Sequence, residues 1–540
     1  MKSTVEGNIV DIQQRKIYKG TLEMEKGVIT HLRPHPTPAE GFIIPGFIDA
    51  HVHIESSMLT PENFGRLVIE HGTVAVVTDP HEIANVMGRT GVEFMLENSR
   101  RSPIKTFFTI PSCVPVTPFD VSGGVITSAD VEQMAASGDY VALSEMMNVR
   151  GVLSHDPEVM AKLHSATAHR LPIDGHAPTL TKEGLKHYAD QQITTDHECM
   201  TLEEAEEKLV TGMKILIREG SAACNYEALK SLIATNADEV MFCTDDAHPD
   251  DLIERGHIDK LVRRAIADGF DLFDVLKIAA LNPIHHYHLE VGQVRVGDKA
   301  DFIVVDDLET FTVQQVYLNG IKQYDRRTAE REITPSAIQM INHFNHELLP
   351  VASLRKAVTA PIPVISLVEG ELLTQVYHYT PSLPTDSFES DIKNDILKIV
   401  YINRYTNGTP QIAFCKGFRL KRGAFASSIS HDSHNIIAVG CNDNELTQAI
   451  NAVMEQKGGL AVHSDGQTHI LPLPIGGIMS DRTGEEVAAA YKELSERIRD
   501  MGCRLPAPFM TLSFMSLIVI PEIKIGEKGL FCFTDFNWMS

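Results

Sequence analysis

Two histidines separated by one residue, His51 and His53, are the first candidates for chemistry in this sequence. They follow a short apolar run, 46–50, which is typical of a buried β-strand. On an extended chain residues i and i+2 face the same side, so both imidazoles can reach one metal ion. Alone, this pair is weak evidence, because a chain with 24 histidines also contains such pairs without a metal site.

Further side chains that bind metals or transfer protons follow later apolar runs of the same kind. Each has an ordinary structural explanation, such as a helix cap, a helix N-terminal carboxylate or a hydrogen-bonded loop histidine. These residues are Glu145, His176, His197 and Asp245. With the first two histidines they make four imidazoles and two carboxylates, which is more than one tetrahedral ion takes. The set predicts a two-metal centre bridged by Glu145, and hydrolysis by a water that the ions activate.

The elements that must position these side chains are eight apolar runs between Pro45 and about His288. Most are continuous and rich in β-branched or aromatic residues, as expected of parallel strands buried on both faces. They are 46–50, 73–78, 105–110, 140–144, 171–174, 192–195, 213–217 and 240–244. Residues typical of helix ends lie between them. Thr60-Pro61-Glu62, for example, is typical of a helix N-terminus, and Gly72 is typical of the residue that ends a helix. Eight such units in about 240 residues predict a (β/α)₈ TIM-like barrel, whose chemistry lies where the strands end.

The regions that flank the predicted barrel have different patterns. Short strand-like runs broken by glycines occur at 8–33 and 290–322, and they predict two halves of one small composite β-sandwich domain. Mixed strand and helix signals follow to the end of the chain. The α/β fold is therefore predicted to comprise a β-sandwich domain from 1–44 and 289–330, a metal-dependent barrel over 45–288, and a C-terminal α+β domain over 331–540.

Composition excludes several classes of function. Lys and Arg number 48 against 72 Asp and Glu, and the net charge of −24 argues against binding nucleic acid or an anionic membrane surface. The first residues lack the apolar region of a signal peptide, and the longest apolar run, 510–520, is shorter than the roughly 20 residues of a spanning helix. The eight cysteines form no C-x-x-C pair. We therefore expect a soluble cytoplasmic protein with reduced thiols and a small-molecule partner.

Several of these segments closely resemble the bacterial-type adenine deaminases of the amidohydrolase superfamily. The matching segments are 45–57, 78–85, 144–148, 174–178, 195–198 and 243–246. The resemblance covers essentially the whole chain, including a C-terminal domain that most members of the superfamily lack. It implies hydrolytic deamination of adenine to hypoxanthine and ammonia in purine salvage.

The resemblance also implies the roles of the site residues. The metal ligands would be His51, His53, Glu145, His176, His197 and Asp245. Asp245 would take a proton from the attacking water and pass it towards the leaving amine. Two divalent ions are expected, with Mn²⁺ or Fe²⁺ favoured by the family and Zn²⁺ also compatible with His and carboxylate ligands. The implied partner is a purine base, and the expected assembly is a homodimer.

Five more residues at strand ends have roles that the sequence leaves open. Glu55 continues the spacing of the first two histidines, and its open roles are to hold a substrate proton, to support a ligand, or to be an exposed loop carboxylate. His81 and Glu82 follow the second strand, either as accessory groups of the metal site or as partners in a loop hydrogen bond. Arg218 and Ser221 follow the seventh strand as candidate purine contacts, although Arg218 with its neighbour could equally form an ion pair at the rim.

Two alternative functions remain open at this level. The same ligand set can cleave a cyclic amide or an N-acetyl sugar, because a fold does not fix its substrate. The chain could also be a non-catalytic barrel that serves as an interaction scaffold. A scaffold has no need of six convergent metal ligands, so metal content and an adenine assay together separate the three functions.

Overall fold

The computed structural model describes residues 2–36, 40–221, 223–328, 338–358, 361–368, 372–381 and 387–539. In its first 328 residues the strands are β1 (Lys2–Asp11), β2 (Lys16–Glu25), β3 (Val28–Pro34), β4 (Phe42–Ile44), β5 (Phe47–Val52), β6 (Thr73–Thr78), β7 (Lys105–Ile110), β8 (Tyr140–Met146), β9 (Ile173–Gly175), β10 (Thr195–Asp196), β11 (Lys214–Arg218), β12 (Val240–Cys243), β13 (Phe302–Val305), β14 (Val313–Leu318) and β15 (Ile321–Asp325). The later strands are β16 (Ile362–Leu367), β17 (Thr374–Tyr379), β18 (Leu397–Ile402), β19 (Gln411–Lys416), β20 (Ala424–Ser427), β21 (Ile436–Gly440), β22 (Gly459–Ser464), β23 (Gln467–Pro472), β24 (Ile523–Gly526), β25 (Gly529–Cys532) and β26 (Asn537–Trp538).

Helices separate most of the strands in the first half of the chain. They are α1 (Pro61–Val68), α2 (His81–Met87), α3 (Arg89–Ser99), α4 (Ser128–Ser137), α5 (Val149–Leu153), α6 (Pro157–Ala168), α7 (Lys182–Ala189), α8 (Leu202–Val210), α9 (Tyr226–Leu229), α10 (Leu232–Thr235), α11 (Pro249–Arg255), α12 (Ile258–Ala267), α13 (Leu272–Leu276) and α14 (Asn282–Tyr287). Three more lie near the C-terminus: α15 (Asp443–Glu455), α16 (Gly484–Asp500) and α17 (Pro508–Ser513). Among the helices of the described ranges, none has the length and apolar character that a membrane span requires.

Strands β5 to β12 arise from the eight apolar runs predicted as strands. They form two parallel sheets that follow the chain order, β5-β6-β7-β8-β9 and β10-β11-β12. Backbone hydrogen bonds also run between the sheets, from the Thr194 N–H to the Ile173 carbonyl at 2.8 Å and from the Asp245 N–H to the His51 carbonyl at 3.0 Å. The predicted first helix is present, since α1 begins at Pro61 and its 3₁₀ continuation ends at Gly72, whose φ of 78° suits glycine.

The two flanking segments come together in one seven-stranded sheet with the order β15-β14-β13-β4-β1-β2-β3. Strand β4 makes the junction, because it pairs in parallel with β1 and antiparallel with β13. The predicted β-sandwich is therefore a single hydrogen-bonded sheet. One face has a small core of its own that includes Ile9, Leu22 and Phe302, while Ile44 and Ile303 belong to the core shared with β5–β12.

The C-terminal part of the chain has the predicted α+β composition. Its eight-stranded sheet has the order β17-β16-β19-β18-β21-β20-β22-β23, and β24–β26 form a separate small sheet. Helix α16 packs on α1 and α11, and the Lys492 ammonium is 2.5 Å from the carboxylate of Glu254. The Ser480 N–H donates to the Met58 carbonyl at 2.8 Å, close to the end of β5. This part therefore lies against the strand ends that carry the predicted ligands. The predicted boundary between 330 and 331 lies outside the described residues.

Candidate metal centre

A buried carboxylate, Asp49, joins the ends of β5 and β12. Its Oδ1 accepts from the backbone N–H groups of His51 at 3.2 Å and Thr244 at 3.1 Å. Its Oδ2 accepts from the Thr244 hydroxyl at 2.5 Å. These bonds satisfy backbone groups that the strand ends would otherwise leave unpaired in the interior. They hold His51 and His53 beside Asp245, whose carbonyl accepts from the His53 N–H at 3.1 Å.

Glu145, at the end of β8, lies at the centre of the buried cluster. Its Oε2 is 2.8 Å from His176 Nδ1 and 3.2 Å from His197 Nε2, and its Oε1 is 3.3 Å from His53 Nε2. The side chain is 3% exposed. Burial raises the pKa of Glu145, but His176, His197 and His53 outweigh it and hold the pKa well below its usual range. Both oxygens of this carboxylate therefore lie close to histidine nitrogens.

Asp245 lies near Glu145, directly after β12. Its Oδ1 is 3.1 Å from His53 Nε2 and 3.5 Å from His51 Nε2, and its Oδ2 accepts from Arg218 Nη1 at 2.5 Å. Burial raises the pKa of Asp245, but Arg218 and the two histidines lower it well below the usual range. The backbone φ of 57° is a left-handed conformation that Asp adopts more readily than most residues.

The donor atoms fit divalent transition metals. Sets of three or four of them lie within 4.8 Å of one another: His51, His53 and Asp245; His51, Glu145 and His197; His53, Asp79, His81 and Glu145. The buried Nε2 of His51 has no hydrogen-bond partner in the part of the chain that the structure describes. Buried ring nitrogens are normally paired, so this atom suits a metal ligand. Mixed imidazole and carboxylate donors suit Zn²⁺, Fe²⁺ and Mn²⁺.

Two of the five residues with open roles lie in the cluster itself. His81 Nδ1 is 2.7 Å from Asp79 Oδ2 and 3.6 Å from Glu145 Oε1. Arg218 is 3% exposed and pairs with Glu198 as well as with Asp245, so it does not form the rim ion pair that was its alternative role. The carboxylate next to it in the sequence, Glu219, instead pairs with Arg264 at 3.0 Å.

Glu55 and Ser221 lie beside the cluster and do not line its pocket. Glu55 Oε1 accepts from the Ile83 N–H at 3.2 Å, and burial raises the pKa of Glu55 to about 7. The Ser221 hydroxyl oxygen accepts from the backbone N–H of His248 at 2.8 Å. Glu55 is 2% exposed, so it is not an exposed loop carboxylate. It bonds to the first turn of α2, and Ser221 bonds to the residue that precedes α11.

The C-terminal part of the chain supplies one wall of the pocket, which the sequence analysis missed. The carboxylate of Glu82 bonds to His431 Nδ1 at 2.6 Å and to His434 Nε2. Burial lowers the pKa of His431, but Glu82 outweighs it and raises the pKa to about 9. The other C-terminal lining residues are Leu372, Asp432, Met510, Phe514, Leu517 and Ile520. An H-x-x-H pair at 431–434 was the available signal, but it follows none of the eight runs.

Comparisons with known proteins match two parts of the chain to family models and the whole chain to curated relatives. The model of the amidohydrolase family matches residues 42–322, and that of the adenine deaminase C-terminal domain matches 371–537. Adenine deaminase of Methanosarcina mazei is 46% identical over 99% of this chain and 98% of its own length. The enzymes of the same name from Sulfurovum sp. and Salinibacter ruber are 46% and 45% identical, each over 99% of this chain and over 99% and 98% of their own lengths.

The chain belongs to the adenine deaminase family. The six predicted ligands all fall in the part that matches the amidohydrolase model, whereas His431 and Asp432 fall in the part that matches the adenine deaminase C-terminal domain. The pocket of this adenine deaminase family member is thus formed where the two matched parts meet.

Proposed function

We propose that this chain hydrolyses adenine to hypoxanthine and ammonia at the pocket between β5–β12 and the C-terminal part. The buried cluster of histidines and carboxylates at the strand ends carries this proposal, because it is suited to activating water for hydrolysis. The full-length similarity to curated adenine deaminases supports adenine over the cyclic amides and N-acetyl sugars that remained open.

The proposed ligands of two divalent ions are His51, His53, Glu145, His176, His197 and Asp245. Bound ions of this kind supply positive charge and lower the pKa of a water from about 15.7 towards 7. Asp245 accepts a proton from the attacking water and delivers it to the amine that leaves C6 of the ring. The bond from Arg218 holds Asp245 Oδ2, which leaves Oδ1 directed towards His53. Arg218 is therefore proposed to position Asp245 and not to contact the purine.

The proposal includes three features of architecture. The hydrogen bonds between the two parallel sheets support one closed (β/α)₈ barrel. The ends of β4 at Ile44 and of α14 at Tyr287 support domain divisions near 44/45 and 288/289. The homodimer is expected from the family resemblance alone, and sedimentation of the purified protein measures it directly.

We expect adenine to be deaminated with a kcat/KM at least about 100-fold higher than adenosine, because a pocket that fits a free base rejects a large substituent on the ring. Ammonia release from the two substrates measures the ratio. A cyclic amide and an N-acetyl sugar serve as controls. A clear preference for adenosine, or faster turnover of either control compound, would contradict the proposed substrate.

We expect close to two transition-metal ions per chain, because six donors exceed the ligand number of one tetrahedral ion. Elemental analysis of the purified protein counts them. Exhaustive chelation should abolish turnover, and Mn²⁺ or Fe²⁺ should restore it. Ca²⁺ is the control, since it prefers sites made of oxygen ligands alone. Full activity in a metal-free preparation would refute this prediction.

A further inference from the structure

The C-terminal wall of the pocket contains a buried carboxylate oxygen without a partner. Asp432 is 5% exposed and lines the same pocket as Glu145 and Asp245. Its Oδ2 has no hydrogen-bond partner among the residues that the structure describes, and its Oδ1 is 3.8 Å from Nδ1 of His431. A buried carboxylate oxygen without a donor costs free energy. A ligand that brings an N–H group to this wall would remove that cost.

The surroundings of Asp432 define the shape of such a ligand. His431 is already bonded to Glu82 through Nδ1, and the Phe514 ring stacks on the His431 ring with centroids 4.6 Å apart and an interplanar angle of 14°. Apolar side chains complete this wall: Leu372, Met510, Leu517 and Ile520. A polar acceptor beside apolar side chains suits a flat heterocycle that carries an N–H on its edge.

We propose that Asp432 accepts a hydrogen bond from the N–H of the five-membered ring of a free purine base, and so selects bases over nucleosides. This inference rests on the proposed function. Free adenine carries this hydrogen on N9 or N7, whereas a nucleoside carries ribose on N9 and has no such donor. A site built to bond an N–H strongly rejects an analogue that lacks it, because its buried acceptor stays unpaired.

The test compares adenine with 9-methyladenine, which lacks the N–H but adds only a methyl group. The wild-type kcat/KM should be at least about 100-fold lower for 9-methyladenine. Asp432→Leu, which keeps a side chain of similar size but has no acceptor, should lower kcat/KM for adenine by about 10- to 100-fold, mainly by raising KM, while metal content and the value for 9-methyladenine change little. Asp391→Leu is the matched control, since Asp391 accepts from the Tyr379 hydroxyl and does not line the pocket. This variant should keep the wild-type ratio.

An Asp432→Leu protein that keeps the wild-type ratio of the two substrates overturns the inference. A wild-type protein that releases no ammonia from adenine overturns the proposed function instead. If Asp432→Leu fails to fold, as judged by thermal unfolding and metal content, inhibition of the wild-type protein tests the inference instead. Hypoxanthine should then inhibit at least about 100-fold more strongly than 9-methylhypoxanthine, and equal inhibition by the two overturns the assignment of Asp432.

Discussion

Replacing Asp245 with Asn should lower kcat by about 10² to 10⁴-fold while the fold and most of the metal remain. Asparagine is nearly isosteric and still offers one oxygen to a metal, but it cannot accept a proton from the attacking water. It also tolerates the left-handed backbone at this position, so the loss is not due to strain. Steady-state kinetics with adenine, together with elemental analysis, measure the effect.

The neighbouring Asp246 provides the matched control. Its carboxylate also lines the pocket, but Oδ1 accepts from the Ser56 hydroxyl at 2.5 Å, and an amide oxygen can accept the same bond. Asp246→Asn should therefore lose much less activity than Asp245→Asn. If Asp246→Asn is the more damaged variant at equal metal content, the proton acceptor is Asp246.

Replacing Glu145 with Gln should lower metal retention and turnover together, with activity reduced by at least about 100-fold. This expected loss is larger than the roughly 10- to 100-fold loss that is typical when a residue that hydrogen-bonds to a metal ligand is replaced. An amide lacks the negative charge that holds two cations close and balances the histidines around it. Elemental analysis after dialysis and the adenine assay measure the two losses, and thermal unfolding verifies that the variant is folded.

Glu219→Gln is the control for this change. Glu219 is a carboxylate at the end of β11 that pairs with Arg264 and does not line the pocket. The Glu219→Gln protein should retain both its bound metal and its turnover of adenine. A Glu145→Gln protein that binds two metals and turns over adenine normally would show that Glu145 does not bridge the ions.

The sequence by itself determined the strands and the residues at their ends. Continuous apolar runs are a local signal for strands buried on both faces, and each of the eight runs overlaps a strand, although the run 192–195 shares only Thr195 with β10. Because the carboxyl ends of successive parallel strands lie at one edge, residues as distant in sequence as His53 and Asp245 could be expected at one site. The structure places their side chains 3.1 Å apart. The sequence also predicted that the segments on the two sides of the barrel form one small β-domain. It did not predict that β4 joins these two segments in a single sheet.

Only the tertiary structure decided which partners these residues have and what closes the pocket. Arg218 bonds to Glu198 and Asp245 because these side chains project into one interior, whereas the sequence left open a purine contact or a pair with Glu219. Glu82 and His434 are 352 positions apart, and no periodicity relates them. Their contact, like the position of Asp432, depends on how the C-terminal sheet packs against the strand ends. Such packing is set by the shapes of two large surfaces, which no local pattern of residues encodes.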